Sequence, residues 1–544
     1  MRRVFLRYTL CLVAAGLAAG AWANGVDDRA LQSRLRAHVE FLASDLLTGR
    51  EPGTAGYDIA AEYVASQFRQ MGLEPAGDKG SYFQQVPLRS AVLKPGSARL
   101  AYINGDTSRN FEFVDEFFLG PDAGSEAGSV SGELVFAGYG IEAPELGYND
   151  FESIDVDGKI VVVLAGQPVD FPSEEGAHFG SGREKAYAWA RRGAVGAIVI
   201  STPRRLRRSG WDRVQTLVGK PSMRWLQANG RPFPDFGGLE ATAMIHHEPA
   251  SSLFEDAPFS LAQLVELDEK GEGLPVFELE GSATVSRSSI HKDLSSPNVV
   301  AMLPGSDPTL SDEYVVYIGH LDHIGMLEGD GHEDAINNGA LDNASGISVM
   351  LETARMFVRD GAPRRSLLFI ALTAEEKGLV GSEYFAISPT VPKESMVGVI
   401  NLDMPVLLYE FGDVIAFGAE HSTLKGPFEQ AASEFGVSLT PDPFPEQTIF
   451  VRSDHYRFVQ QGIPSVMLVT GPSSLGGEMD TKPVFEAFLK EHYHRVSDDL
   501  NLPINYSAAA RFTRINARAG ELTANQAERP RWHEGDFFGD TFGR

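Results

Sequence analysis

The chain has 544 residues, 43% of them hydrophobic, and a formal charge of −27, which is enough for a substantial core and for more than one ordinary domain. That acidity argues against nucleic acid or an anionic membrane surface as partner, since both are bound through a basic face. The single cysteine, Cys11, has no partner within the chain for a disulfide.

The N-terminus reads as a secretory signal peptide over residues 1–23. Arg2, Arg3 and Arg7 supply the positive start, Leu10 to Ala21 the apolar run, and Ala21-Trp22-Ala23 the small-x-small cleavage pattern. The apolar run is short for a membrane span, so no stable membrane insertion is expected after cleavage. Cleavage removes three arginines, taking the charge from −27 to −30, and removes Cys11. The expectation is an exported protein, periplasmic or extracellular, with no cysteine nucleophile.

Asp27 to Gly72 carries apolar residues at helical spacing in two halves, separated by the turn-rich loop GREPGTAG. Strands follow at Tyr82 to Leu88 and Ala98 to Ile103. Between Gly120 and Val130 the composition shifts to Gly, Ser, Ala and acidic residues, as at a domain boundary. GELVFAGYG, KIVVVLAG, GREKAYAWARRGA and VGAIVIST then read as strand, strand, helix and strand of a smaller α/β unit. We place that insertion at residues 119–287, splitting a main domain of 24–118 and 288–525, with a tail of 526–544 that is assigned no structure. Arg204 to Arg208 (RRLRR) reads as a solvated basic face. His246 and His247 point to opposite sides of a strand and cannot easily share a metal. Ser260 to Glu269 reads as a helix.

From Ser295 onward strands and helices alternate: VVYIGH, GISVMLETARMFV, LLFIAL, GSEYFAIS, VGVINL, VIAFGA, KGPFEQAASEFG, IPSVMLV. This predicts an α/β fold with a mostly parallel sheet covered by helices on both faces. In such sheets ligands gather outside the carboxyl ends of the strands. His320, Glu375, Glu376 and Asp403 all fall there, while Asp342-Asn343-Ala344-Ser345-Gly346 opens a helix. Ionisable groups just past apolar strands are costly to desolvate unless paired, and a pair of divalent metals would satisfy them.

The succession H-x-D, D-x-x-S-G, E-E, N-x-D-M and Y-H-x-x-x-D, running from His320 to Asp498, resembles the co-catalytic zinc aminopeptidases of peptidase family M28. FLASDLLTGREPGTAG near the N-terminus is similar to the same family, and FAGYGIEAPELGYNDF resembles the protease-associated (PA) domain that many members carry as an insertion. The resemblance implies two Zn²⁺ ions, with Asp342 bridging, His320 and Asp403 completing one site, and Glu376 and His494 the other. Imidazole and carboxylate ligands suit zinc in a chain without thiolates. It further implies Glu375 as general base toward a metal-bridged water, and Asp322 as the carboxylate that bonds the second ring nitrogen of His320. The Asp342–Asn343 linkage matches the place where the family holds a cis peptide.

Two positions depart from the family pattern. Leu341 stands where an acidic residue is usual, and His494-Arg495-Val496 replaces the usual HTP. His492 is a second candidate for the last ligand, although Tyr493-His494 with Asp498 keeps the motif's spacing. Arg452-Ser453-Asp454-His455 either lines the substrate side or supplies Asp454 as a helix cap. His323, His332 and His421 are taken as non-ligands, and Glu328, Asp330, Glu333 and Asp334 as a solvated acidic loop. The implied activity is removal of N-terminal residues from peptides with a free N-terminus. Carboxypeptidase or dipeptidase activity, a glutaminyl cyclase-like acyl transfer, or a receptor-like relative without metals are the alternatives.

Overall fold

The computed structural model describes residues 28–208, 210–327, 334–477 and 479–543. The expected signal peptide with Cys11, together with Glu328, Asp330, His332 and Glu333, lies outside them.

The expected N-terminal helices form at Asp28–Leu42 and Ala55–Met71. Leu31, Leu35, Val39 and Leu42 line the buried face of the first. The second starts where the Thr54 side chain accepts from the Tyr57 N–H and ends at Gly72, which takes a left-handed φ of 81° as a C-terminal stop.

The main sheet is mixed. Ser366–Leu372, Tyr314–His320, Met396–Asn401 and Ser465–Thr470 are parallel neighbours at its centre. Antiparallel partners flank them: the end of Val276–Leu303 and then Phe83–Leu93 on one side, Asp413–Phe417 on the other. The central strands are buried along their whole length, which explains why they read as unbroken apolar runs rather than as alternating ones. One face packs on helices Asp28–Leu42, Ala55–Met71, Gly346–Asp360 and Tyr506–Asn525. The other packs on Val380–Ile387 and His455–Val459 through Phe385 and Phe458.

A second sheet has its own core, with Phe136, Val162, Ile198 and Ile245 fully buried. Its strands Ala127–Ala137, Ile160–Leu164, Gly196–Ser201 and Ala241–His246 run parallel in that order. It also takes in Arg99–Asn104 and Thr107–Asn110, ahead of the composition shift at 120. Conversely, Ser222–Leu226 leaves it to pair with Phe83–Leu93 of the main sheet. Composition marks where a chain is loose, not which strands it pairs, so the two need not coincide. The strand Val276–Leu303, 28 residues long, runs through both sheets and joins them by continuous pairing rather than by a linker.

The tail, assigned no structure from sequence, forms helix Phe537–Phe542 capped by Asp536. His421 holds it down: its Nδ1 lies 2.6 Å from Asp536 and its Nε2 2.6 Å from Glu174 of the inserted unit. Burial opposes the charged imidazole, but the two carboxylates outweigh it and lift His421 to about 10. A histidine raised above its ordinary value contributes stability that is full below about pH 6.5 and is lost as pH rises through about 10. His421→Gln, leaving two carboxylates facing each other, is expected to cost about 3 kcal/mol near pH 6 and progressively less toward pH 10. Urea denaturation of the two proteins across that range checks it; a difference that grows with pH contradicts the clamp.

No helix among the described residues is long and apolar enough to cross a membrane.

Candidate metal centre

Five side chains from four strand-end or helix-start segments, plus one distant loop, converge on one spot. His320 ends its strand, and its Nε2 lies 3.1 Å from Asp403 Oδ1 and 3.1 Å from Asp342 Oδ1. Asp403 follows the next strand, two residues past Asn401. His494 enters from beyond the sheet, its Nε2 at 3.1 Å from Asp342 Oδ2 and 3.1 Å from Glu376 Oε2. The two oxygens of Asp342 therefore serve different triads. Every predicted ligand is in the cluster. The rival His492 is turned away, its Nδ1 at 3.0 Å from Ser497 Oγ.

The donor set fits two zinc ions. Zinc bonds to imidazole nitrogen and carboxylate oxygen at about 2.0–2.2 Å, so neighbouring ligand atoms of a tetrahedral site stand about 3.3 Å apart, close to the spacings found. Charge points the same way. Burial pushes the Asp342 carboxyl up, yet His320 and His494 outweigh it and hold it well below the usual range. His494 is in turn raised to about 9, with Glu376 and Asp342 overcoming the effect of burial.

The backbone around these groups is unusual. The Asp342–Asn343 peptide is cis, as the resemblance implies. Ala374, Met404 and His494 adopt left-handed φ values of 54°, 44° and 58° without being glycine. Such conformations cost free energy and concentrate at functional sites. Asp498 accepts from the Leu341 and Asp342 N–H groups at 2.9 and 3.0 Å, fixing Asp342 from the far end of the chain.

Asp322 departs from expectation. The Nδ1 of His320 lies 3.2 Å from the Asp322 main-chain carbonyl, not from its carboxylate. The carboxylate instead accepts the N–H groups of Glu375 and Glu376, at 3.0 and 3.3 Å. The strand ends at His320, so the alternation that would put both side chains on one face no longer applies. Asp322 thus holds the turn that carries both glutamates. Those two face differently: Glu375 lines the open cavity with His320, Asp342 and Asp403, whereas Glu376 does not. Burial lifts Glu375 well above the usual carboxylate range; His320 opposes this, and Glu376 and Asp403 add to it.

Two contributors were missed or misjudged from sequence, and a third, left open there, is placed by the structure. His323, set aside as a non-ligand, has its Nδ1 2.6 Å from Glu376 Oε1 and 4.0 Å from Asp342 Oδ2. The contact is close yet lacks hydrogen-bond geometry, and both ring nitrogens have no hydrogen-bond partner among the described residues. His323, Asp342 and Glu376 lie close enough to hold a metal ion together, which makes His323 a further candidate donor on the His494 side. His323→Ala is expected to weaken zinc at that side by about 10–100-fold, read by competition with a chromophoric chelator; unchanged affinity would leave the imidazole a packing role only. Arg50, from the turn-rich GREPG loop, is buried and donates to the carbonyls of Leu42, Asn338, Gly339 and Leu321. It ties the N-terminal segment beneath the loop that presents Asp342. Ser453 donates to Asp403 and lies beside Asn401, so the Arg452–His455 segment does face the site. Asp454 makes no capping bond.

Comparison with known proteins agrees with this arrangement. Residues 298–520 match peptidase family M28, and residues 130–226 match the PA domain. Residues 298–520 thus form a peptidase family M28 segment, and a PA segment precedes it. Among curated relatives, it is 27% identical to the mouse protein "Aminopeptidase NAALADL1" over 58% of this chain and 45% of that one. It is 28% identical to "Probable leucine aminopeptidase 2" of Aspergillus fumigatus over 33% of this chain and 34% of that one. The chain thus spans less than half the length of these relatives. The aminopeptidase from Aneurinibacillus sp. strain AM-1 shares its fold, with a TM-score of 0.53 at 21% identity over 92% of this chain and 95% of that one. The M28 segment contains all five clustered ligands together with Glu375, and the PA match falls within the second sheet and its return to the first.

Proposed function

We propose that this protein is an exported dizinc aminopeptidase of family M28 that hydrolyses the N-terminal peptide bond of peptides. The observation that carries the reading is the division of the two Asp342 oxygens between His320 and His494, with Glu375 open to the cavity beside them. Asp342, His320 and Asp403 would hold one zinc ion; Asp342, Glu376 and His494 the other, with His323 in reach. Two such ions supply Lewis-acid polarisation of the scissile carbonyl and a water of lowered pKa.

The protein's own groups do the rest. Glu375 takes the proton of the attacking water and delivers it to the nitrogen of the leaving amine. Asp322 fixes the backbone on which Glu375 is carried, and Ser453 orients Asp403. The carboxylates of the site also suit a free α-amine, which is what an N-terminal substrate presents. Relatives bear aminopeptidase names and, in one case, a glutamate carboxypeptidase name, so the preference for the N-terminal bond rests on the fit of the site's carboxylates to a free α-amine. Export rests on the signal-like N-terminus. The test is zinc content by atomic emission together with hydrolysis of aminoacyl p-nitroanilides at pH 7–8: about two zinc ions per chain and chelator-sensitive release are expected, and a metal-free, inactive protein refutes the reading.

A further inference from the structure

The metal centre lies at the floor of a cavity of about 990 Å³, and the walls of that cavity are arginine-rich. Helix Pro203–Arg208 of the inserted unit contributes Arg205, Arg207 and Arg208, the following segment Arg213, and the main domain Arg452 and Arg495. The RRLRR run is therefore only partly a solvated face: Arg207 is exposed, whereas Arg205 and Arg208 are half-buried on the cavity wall. Two of its members have carboxylate partners: Arg204 lies 3.2 Å from Asp268, and Arg207 2.8 Å from Glu269. Of the six wall arginines, Arg207 alone has a described carboxylate within ion-pair distance; Arg205, Arg208, Arg213, Arg452 and Arg495 have none among the described residues. In a chain with 74 acidic and 47 basic residues, such a gathering runs against the composition.

Acidic groups do reach the wall, at Asp212, Glu446, Glu486 and Glu491, but they do not neutralise it. Glu486 lies 3.7 Å from Lys482, and Arg208 meets Glu446 only through its main-chain carbonyl, at 2.8 Å. The arginines also repel one another. Burial and then Arg205 and Arg452 bring Arg208 down to about 9, and Arg205 is lowered by burial, Arg452 and Arg213. Arg205, Arg208 and Arg213 are half-buried and Arg452 and Arg495 exposed; positive charge gathered on a cavity wall without carboxylate partners raises the local concentration of anions.

The cluster is built onto the metal centre. Arg452 donates to Tyr493 Oη at 3.1 Å, and the guanidiniums of Arg213 and Arg452 each lie 5.9 Å from the Tyr493 ring. That ring lies against His494, with centroids 3.8 Å apart and the planes tilted by 31°. A peptide whose N-terminus and scissile bond sit on the floor must leave past these side chains.

We propose that the cavity selects peptides carrying a carboxylate on the leaving side of the scissile bond, either an acidic side chain at the second residue or the α-carboxylate of a dipeptide. Arginine suits this because its fork binds a carboxylate through two parallel hydrogen bonds. The inference rests on the peptidase reading above.

Three substrates separate the two sources: Leu-Ala-NH₂ has no carboxylate, Leu-Ala has the terminal one, and Leu-Glu-NH₂ has the side-chain one. The zinc-loaded full chain is expected to show kcat/KM at least about tenfold higher for one or both acidic substrates than for Leu-Ala-NH₂, the scale of one charge-assisted hydrogen bond. The double variant Arg205→Gln/Arg208→Gln should bring that ratio toward one, chiefly through KM. Arg213→Gln, read the same way, covers the case in which the double variant does not fold. Calorimetry on the Glu375→Gln protein adds a readout independent of turnover, with Leu-Glu-NH₂ or Leu-Ala binding more tightly than Leu-Ala-NH₂. Equal kcat/KM for all three substrates, or a ratio that survives in the variants, overturns the proposal. Failure to hydrolyse any of them overturns the peptidase reading instead, and the calorimetric preference then decides the arginine cavity alone.

Discussion

Glu375→Gln is expected to lower kcat by about 10²–10⁴-fold or more while the protein still binds two zinc ions, because a positioned base contributes on that scale. Glutamine keeps the shape of the side chain and cannot accept the proton. Zinc should be retained because Glu375 is outside both triads: His320, Asp342 and Asp403 stand together without it, as do Asp342, Glu376 and His494. The turn should survive as well, since Asp322 bonds the backbone N–H of residue 375 and not its side chain. Replacing a buried carboxyl that burial already pushes up removes an unfavourable charge, so thermal stability should not fall. Zinc analysis, steady-state kinetics and a melting curve on one preparation check all three points. Loss of zinc in parallel with activity would make Glu375 a ligand rather than a base.

The same residues show what could be read from the sequence and what could not. Strand ends were legible because unbroken apolar runs stop abruptly at His320, Leu372 and Asn401, and a buried parallel sheet turns such stops into a row of sites. His494 was legible from its spacing to Asp498, although 91 residues separate it from Asp403. Asp322 was placed correctly and given the wrong partner. Whether a carboxylate or its own carbonyl meets an imidazole depends on where the strand ends, and one residue changes the outcome. His323 was passed over for a related reason, since it follows the strand and loop geometry alone brings it to Glu376. The RRLRR run illustrates a different limit. A run of charge records its own composition and nothing about what lies opposite, and the cavity wall is completed by Arg452 and Arg495 from far along the chain. Nor does composition reveal that one strand, Val276–Leu303, passes through both sheets and sets the inserted unit over the metal centre.

Asp342→Ala should have the opposite signature to Glu375→Gln: zinc is lost first, and activity with it. Each triad would keep only two of its three donors, and both lose theirs in a single substitution because one carboxylate serves both imidazoles. Loss of His320 or His494 alone removes a donor from one side only, so those variants should keep some zinc on the other. Asp342→Ala also leaves buried His320 and partly exposed His494 without the carboxylate that holds them, and His494, raised to about 9 in the intact cluster by Glu376 and Asp342, should titrate lower. The fold itself is secured elsewhere, since Asp498 bonds the main chain of residue 342 and Arg50 the carbonyls just before it. Far-UV circular dichroism should therefore stay native while metal analysis falls from two zinc ions per chain to below one. A variant that still holds two would show that the triads are independent sites and that Asp342 does not bridge them.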